Sequence, residues 1–354
     1  MRRLDDLLLE AKGSNASDIH LTINRPPLFR IDGRLKPIGN KLLTNTELNS
    51  FTRKMINTND RSQKLLEKYQ QVDLSYALSD STRFRVNIYR STGELSAALR
   101  LIPNDIKTVE ELNLPSHILQ FSELKQGFVI AAGPAGHGKS TTLAALIEHI
   151  NQHRSEHIIT IEDPIEYIFT DNKSAIDQRE IGRDATSFIQ AMRATLRQDP
   201  NVILIGELRG LESMQTALSL AETGHLVFTT LHTNDAGQTV ERLIDSFPSS
   251  QQPQIRSQLA TTLSGVISQR LLPAAQGGRI PAVEIMIANP AIRNTIREGN
   301  IHQILGIIQT NAELGMQSLD SSLEELIQAG SVSMEEANPY FKADKGIIQQ
   351  GPQS

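Results

Sequence analysis

Eight consecutive residues of this chain have the types and spacing needed to hold a phosphate chain. Gly133-Pro134-Ala135-Gly136-His137-Gly138-Lys139-Ser140 fits G-x-x-x-x-G-K-[ST], and it lies between the apolar run Gly127 to Ala132 and a helical pattern starting at Lys139. Glycines let backbone N–H groups close around a β-phosphate, and the helix N-terminus adds its positive dipole. Lys139 bridges the outer phosphates, while the Ser140 hydroxyl, followed by Thr141, would hold Mg²⁺. Strand, loop and helix in that order make this a site for ATP or GTP. His137 is the odd member of a loop in which small residues usually let the backbone approach the phosphates. Of a phosphate contact and a solvent-facing side chain, the second is expected.

Phosphoryl transfer to water also needs one carboxylate that orients or deprotonates the water and another that holds Mg²⁺. The run His157 to Ile161 ends in Glu162-Asp163-Pro164-Ile165-Glu166, and Asn201 to Gly206 ends in Glu207. Ligands of an open parallel sheet gather at the carboxyl ends of its strands, so all four acids are placed to act. Glu162 and Asp163 cannot both aim at one atom, because successive strand residues face opposite sides. His225 and His232 bracket Leu226 to Leu231. Extended chain of that length spans about 23 Å, so only one of them reaches a γ-phosphate within a subunit. His232, at the carboxyl end with Thr230 and Thr233, is the expected phosphate reporter. His225, at the far end, is expected to be structural or at a subunit boundary.

These residues need a scaffold, and the apolar patterning supplies one. Gly127 to Ala132, His157 to Ile161, Asn201 to Gly206, Leu226 to Leu231 and Ile280 to Ile287 read as buried strands alternating with helices, which predicts a parallel sheet with crossover helices. After about residue 288 the pattern is helical, with a loose polar tail from Lys345. The N-terminal part differs. A short amphipathic helix over Leu4 to Ala11 precedes a hairpin, Leu28 to Ile31 and Arg34 to Ile38, turning at Asp32-Gly33. Thr44 to Gln71 reads as helix interrupted near Asn57 to Asp60. Val72 to Leu78, Thr82 to Arg90 and Leu95 to Ile102 read as an antiparallel meander, in which Phe84, Val86 and Ile88 alternate with Arg83, Arg85 and Asn87. The expected division is 1–102, a polar linker 103–115, a nucleotide-binding core 116–288 and C-terminal helices 289–354.

Composition narrows the partners. With 354 residues, two domains are the natural expectation, and 39% hydrophobic with 21% charged residues is ordinary for a globular protein. A formal net charge of −5 argues against nucleic acid as principal partner. The absence of cysteine rules out disulfides and thiolate metal sites. Met1 to Glu10 lacks the apolar core of a secretory signal, and no apolar run approaches the ~18 residues of a membrane span. The chain is therefore expected in the cytoplasm without direct membrane insertion.

Taken together and in order, these segments resemble the secretion ATPase superfamily, and within it the pilus-retraction branch, over nearly the whole chain. Ala16-Ser17-Asp18-Ile19-His20-Leu21 with Arg25-Pro26-Pro27 looks like the family's N-terminal signature, and Arg83-Phe84-Arg85-Val86-Asn87 like its arginine-bearing strand. Ile161 to Tyr167 resembles the aspartate box and Gly206-Glu207-Leu208-Arg209 the Walker B region. Ala221 to His225 and His232-Thr233-Asn234 resemble the histidine box. Ala291-Ile292-Arg293-Asn294-Thr295-Ile296-Arg297-Glu298 is close to the retraction signature, though it also reads as an ordinary amphipathic helix.

The resemblance implies an α/β fold: a PAS-like α+β N-terminal domain, then a RecA-like P-loop ATPase domain with a C-terminal helical segment, assembled as a homo-hexamer. It implies ATP and Mg²⁺, with Glu207 and Ser140 on the metal and Glu166 preferred over Glu162 as the water-activating base. Arg85 and Arg100 would close on the phosphates from the N-terminal domain. The implied partner is an inner-membrane pilus platform protein, which would place the chain peripherally at that membrane. Gly210 stands where the family usually has Asp, and Ala135 and His137 stand in place of its usual Thr and Ser; these departures bear on magnesium binding and turnover. An accessory retraction paralogue shares these features. Extension and secretion ATPases often carry extra N-terminal modules and a tetracysteine site, which this chain does not have. A nucleotide-gated binding protein without hydrolysis and a small-molecule kinase are the rivals of other classes.

Overall fold

The computed structural model describes residues 3–342 except 15, 32, 57–59, 81, 103 and 104. Asp32 of the expected hairpin turn, the expected helix break at 57–59, Pro103 and Asn104 at the start of the expected linker, and the tail from Lys345 lie outside the described residues. The chain divides into two compact units. One comprises Met1–Asp105 with Pro164–Ile168 and Gly182–Asp184, and the other comprises Ile106–Asp163, Phe169–Ile181 and Ala185–Ser354.

The first unit runs α1 (Leu4–Gly13), β1 (Asp18–Thr22), β2 (Leu28–Ile31), β3 (Arg34–Pro37), α2 (Asn45–Ile56), α3 (Asp60–Tyr69), β4 (Gln71–Ala77), β5 (Arg83–Ser91) and β6 (Glu94–Ile102). Among the described residues its strands form one sheet ordered β3-β2-β1-β6-β5-β4. The meander is as expected, and β1, which overlaps the Ala16 to Leu21 segment, joins it antiparallel to β6. Period-two alternation drives the packing. Phe84, Val86 and Ile88 are fully buried and share a core with Leu7, Leu8, Phe51 and Met55. Helix α2 starts at a reciprocal cap: the Glu47 N–H donates to Thr44 Oγ1 at 3.2 Å while Glu47 Oε2 accepts from the Thr44 N–H at 3.2 Å. Lys41 Nζ donates to the other Glu47 oxygen at 2.7 Å.

The second unit runs β7 (Gly127–Ala132), α4 (Lys139–His153), β8 (His157–Glu162), β9 (Ala175–Glu180), α5 (Phe188–Thr195), β10 (Val202–Ile205), α6 (Leu211–Glu222), β11 (Leu226–Leu231), α7 (Ala236–Asp245), α8 (Gln252–Thr262), β12 (Leu263–Pro273), β13 (Arg279–Ile287), α9 (Pro290–Glu298), α10 (Ile304–Thr310), α11 (Leu319–Gln328) and α12 (Met334–Ala337). Its sheet order is β13-β12-β7-β11-β10-β8-β9. Strands β7, β10 and β11 are buried along their whole length, as central parallel strands covered on both faces must be. Phe128, Ile130, Ile203, Ile205 and Val227 share one core with Met214 and Leu218 of α6 and Leu259 of α8.

The expected parallel sheet needs two corrections. Strand β13, expected as a parallel member, runs antiparallel to β12, to which it is joined by a short turn through Gly277 and Gly278. Strands β9 and β12 were not among the expected ones. β12 pairs with β7 only as far as Ser268↔Ala132 and then runs on beyond the end of β7. The outer edge of β13 is closed by the C-terminal segment: the Val283 N–H donates to Ser322 Oγ at 3.0 Å and the Ile285 N–H to the Gln317 carbonyl at 2.8 Å. Pro281 stands at the next outward position, where a residue without an N–H leaves no donor unpaired.

Candidate nucleotide site

The turn from β7 into α4 is shaped by close approach to β12. Gly133 and Gly138 have φ of 141° and 84°. A Cβ on Gly133 would fall 2.5 Å from the Gln269 carbonyl oxygen, and one on Gly138 would fall 2.7 Å from Gln269 Nε2. A side chain at Gly133 would displace the β12 backbone, and one at Gly138 would displace the Gln269 side chain and hold a strained positive φ. Thr142 Oγ1, one turn into α4, donates to Gln269 Oε1 at 2.7 Å. Gly138 caps α4 without any side chain, so the first N–H groups of a fifteen-residue helix have no side-chain acceptor from the cap. Lys139 is buried, 7% exposed, and its Nζ donates to the carbonyls of Gly133 at 2.7 Å and Pro134 at 2.8 Å. A loop with glycines at 133, 136 and 138, a helix start without a side-chain cap and an ammonium held on the loop's own carbonyls together fit a phosphate chain. Pro134, Ala135, Gly136, Ser140 and Thr141 line the same turn, with Ala135 and Gly136 exposed at its apex and Ser140 and Thr141 half-buried.

The solvent-facing position expected for His137 is not the one observed. Its Nδ1 accepts a hydrogen bond from the Leu271 N–H at 3.0 Å, turning the ring back onto β12. The partner lies far along the chain, on a strand absent from the sequence-based expectation.

Acidic and imidazole groups meet at the adjoining strand ends. Ile161, Ile205 and Thr229 sit level across β8, β10 and β11, which brings Glu162, Glu207 and His232 to one end of the sheet. Thr230 Oγ1 ties two of these ends together by donating to the Gly206 carbonyl at 2.6 Å. Glu207 Oε1 pairs with Arg209 at 2.6 Å, and its Oε2 lies 3.7 Å from His232 Nε2. His232 Nδ1 is 3.4 Å from Lys139 Nζ, so His232 stands between the Gly133–Ser140 loop and Glu207. Burial, then the Lys139 charge, push the His232 imidazole below the usual histidine range against the pull of Glu207. The ring is neutral near pH 7 and can accept from Lys139 or donate to an oxygen. Glu162 is buried at the end of β8, and Asp163 is exposed.

The remaining sequence candidates are carried by other segments. Glu166 is exposed within Pro164–Ile168, which belongs to the first unit. Arg85 and Arg100 are both exposed and face each other directly across β5 and β6. Arg100 Nε donates to Asp18 Oδ1 at 2.9 Å. His225 closes the far end of β11: its Nδ1 lies 2.8 Å from the Leu220 carbonyl and 3.1 Å from Thr223 Oγ1, at the end of α6. Ala291, Ile292, Arg293 and Asn294 lie on α9, which Asn289 caps by accepting from the Ile292 N–H at 3.0 Å. Ile292 is buried, and Arg293 Nη1 donates to the carbonyls of Ala260 and Thr261 at 2.7 and 2.8 Å, closing the C-terminus of α8. Ala291 and Asn294 remain exposed.

Sequence reasoning missed Gln269, Arg270 and Asn234. Arg270, 7% exposed, donates from Nη1 to the Gln269 carbonyl at 2.9 Å and from Nη2 to the carbonyl and side-chain oxygens of Asn234, both at 3.0 Å. It thereby links the wall behind the phosphate loop to the turn after His232. A run of polar residues, Ser268-Gln269-Arg270, between apolar ones was the available signal. Among the described residues no cluster of three or more His, Cys, Asp or Glu side chains is placed to hold a metal alone. The hydroxyl of Ser140 and the carboxylate of Glu207 are hard oxygen donors of the kind that hold Mg²⁺ together with water and phosphate.

A profile of the Type II/IV secretion system protein family matches residues 1–277. The chain belongs to that family. Among its secretion-family relatives, the type IV pilus retraction ATPase PilT of Pseudomonas aeruginosa is 41% identical over 339 residues, covering 96% of this chain and 98% of that protein. A twitching motility protein of Neisseria gonorrhoeae is 43% identical over 312 residues, covering 88% and 83% respectively. The crystal structure of a pilus retraction motor PilT with bound ADP superimposes with a TM-score of 0.90 at 43% identity, covering 98% of both chains. The α/β fold expected from the sequence is thus the fold of this secretion family. No helix among the described residues is long and apolar enough to cross a membrane.

Proposed function

We propose that this chain is an ATP-hydrolysing subunit of a homo-hexameric motor that powers type IV pilus retraction and twitching motility. The carrying observation is the 41% identity to a pilus retraction ATPase over 96% of the chain, which takes in both units as well as the phosphate loop. In this reading ATP binds with its phosphates in the Gly133–Ser140 turn, where Lys139 exchanges the Gly133 and Pro134 carbonyls for phosphate oxygens. Ser140 and Glu207 would hold Mg²⁺, which when bound neutralises charge on the phosphate oxygens. His232 reports the γ-phosphate to the loop through Lys139. Glu166 orients and deprotonates the attacking water, with Glu162 as its alternative. Arg85 and Arg100 supply guanidinium groups to the developing phosphate charge. The partner moved by the ring is an inner-membrane pilus platform protein, which holds the motor peripherally at the cytoplasmic face.

Purified protein should release phosphate from ATP, and a Lys139→Ala control should not; equal rates would end the enzyme reading. In the parent cell, deletion should leave surplus pili and abolish twitching. A cell without pili would instead assign extension. The second reading, an accessory retraction ATPase, is favoured by Ala135 and His137 in the loop. It predicts that a deletion strain keeps part of its twitching.

A further inference from the structure

We propose that His137 is a positioning residue that latches the phosphate-binding loop to the free edge of β12, setting the loop's shape before nucleotide arrives. The geometry follows from a mismatch in strand length. Beyond Ser268 the edge of β12 no longer faces β7, and its backbone groups on that side need other partners. Residues two apart on a strand turn their backbone groups to the same side, so Gln269 and Leu271 both face the vacated side. The loop fills it. The Gln269 carbonyl lies against Gly133, and the Leu271 N–H donates to His137 Nδ1 at 3.0 Å. Pro281 stands opposite Leu271 on β13, so the pair exchanges no hydrogen bond from that side.

The latch is the fastening at the loop's apex. The two ends are fixed by close packing, Gly133 against the Gln269 carbonyl and Thr142 on the Gln269 amide. Between them Ala135 and Gly136 are exposed, and a Cβ on Gly136 would meet nothing within 4 Å. Neighbouring packing does not hold that stretch. Arg279 Nη1 approaches the Gly136 carbonyl at 3.5 Å, and Lys139 Nζ donates to the Pro134 carbonyl at 2.8 Å where the stretch begins. Immobilising a loop in its bound shape is a direct route to ligand affinity, because the ordering no longer has to accompany binding.

The direction of the bond fixes the protonation state. An imidazole Nδ1 that accepts belongs to a neutral ring with its proton on Nε2. The charged groups facing the ring are Lys139 from α4, Arg270 from β12 and Arg279 from β13, all cations. Burial first, and then these charges, hold the ring below the ordinary histidine value. The latch is therefore closed at neutral pH and opens on acidification. A ring donating to phosphate would behave in the opposite way, since protonation would strengthen the contact.

Full-length His137→Ala and His137→Asn separate these cases, because Asn Oδ1 takes the position of the imidazole Nδ1 and accepts without titrating. Amide hydrogen exchange of a peptide containing Leu271, in nucleotide-free protein at neutral pH, should rise about five-fold or more in His137→Ala, the worth of one lost hydrogen bond. It should return toward the wild-type rate in His137→Asn. ADP affinity should fall several-fold in His137→Ala. As pH is lowered from 8 to below the ordinary histidine value, it should weaken more steeply in wild type than in His137→Asn. Unchanged exchange in His137→Ala would overturn the latch, as would ADP binding that tightens in wild type relative to His137→Asn on acidification. The ADP arm rests on the proposed nucleotide function and the exchange arm does not. A wild-type protein that binds no ADP would end that function while exchange still decided the latch.

Discussion

The cations of the two units are kept in different ways. In the second unit Lys139 is buried and donates to two carbonyls, and Arg270 and Arg293 likewise rest on backbone oxygens. In the first unit Arg85 and Arg100 stand side by side on an exposed sheet face, where like charges directly opposite one another are mutually unfavourable. Asp18, level with Arg100 on β1, offsets part of that repulsion. A buried cation satisfied by carbonyls is part of a site already built. In the proposed function, the exposed pair of guanidinium groups is charge kept in reserve for an incoming anion.

Substitutions can break or sharpen this contrast. Lys139→Ala should have the largest effect, removing a preorganised phosphate donor from a site of low dielectric. A fall in kcat/KM on the order of 10³-fold or more, with nucleotide affinity lost as well, is expected in steady-state phosphate release and equilibrium binding. Arg85→Ala and Arg100→Ala should each lower kcat by about 10²-fold, since a single guanidinium at a phosphoryl transition state contributes as much or more elsewhere. Nucleotide affinity should barely move. If either arginine variant loses affinity as Lys139→Ala does, the distinction between built and reserve charge fails.

Arg293→Ala tests a built cation outside the nucleotide site. It should cost about 1–3 kcal/mol, because two carbonyls at the end of α8 lose their donor. Denaturant unfolding of the second unit measures this, and wild-type stability would mean that water replaces the arginine at no cost. The smallest effect is expected from a paired charge in the first unit. Hydrogen bonds from Lys41, then from the Thr44 backbone, hold the Glu47 carboxyl at about 2. Its folded value is depressed, so its stabilisation is complete above the ordinary glutamate range near 4.5 and disappears as pH falls toward 2. The unfolding midpoints of wild type and Glu47→Gln should differ at pH 7 and converge as pH falls from the ordinary glutamate range toward 2. A constant gap would assign the effect to shape instead of charge.

What the sequence disclosed follows the range of the forces involved. The phosphate loop was legible because Gly127 to Ala132 and the helix from Lys139 are its immediate neighbours, and local order sufficed. The placement of Glu162, Glu207 and His232 at one end of the sheet followed from strand direction alone. Strand β12 was hidden because it leaves α8 between Thr262 and Leu263 with no glycine or proline to mark the change. Gly265, Ser268 and Gln269 also interrupt its apolar run. Strand β9, Ala-Ile-Asp-Gln-Arg-Glu, is an edge strand polar enough to read as a loop. The orientation of His137 was beyond any local pattern, since its acceptor role is set by a backbone donor on the strand that was missed. The retraction signature illustrates a third case. Its residues were visible, but the division of Arg293 to a structural cap and of Ala291 and Asn294 to the surface is a matter of which way α9 faces.

The closure of β13 has a consequence for how this protein must be handled. A long apolar strand at the margin of a sheet is a template for foreign strands, and the outer edge of β13 is covered by Ser322, Gln317 and α11. The C-terminal segment thus occupies an edge that would otherwise be open to another strand. A chain cut after Glu298 would retain the phosphate loop and most of its core, yet present the donors of Val283 and Ile285 to any other unfinished strand. Insoluble material from such a truncation would reflect an uncovered edge and would say nothing about the nucleotide site.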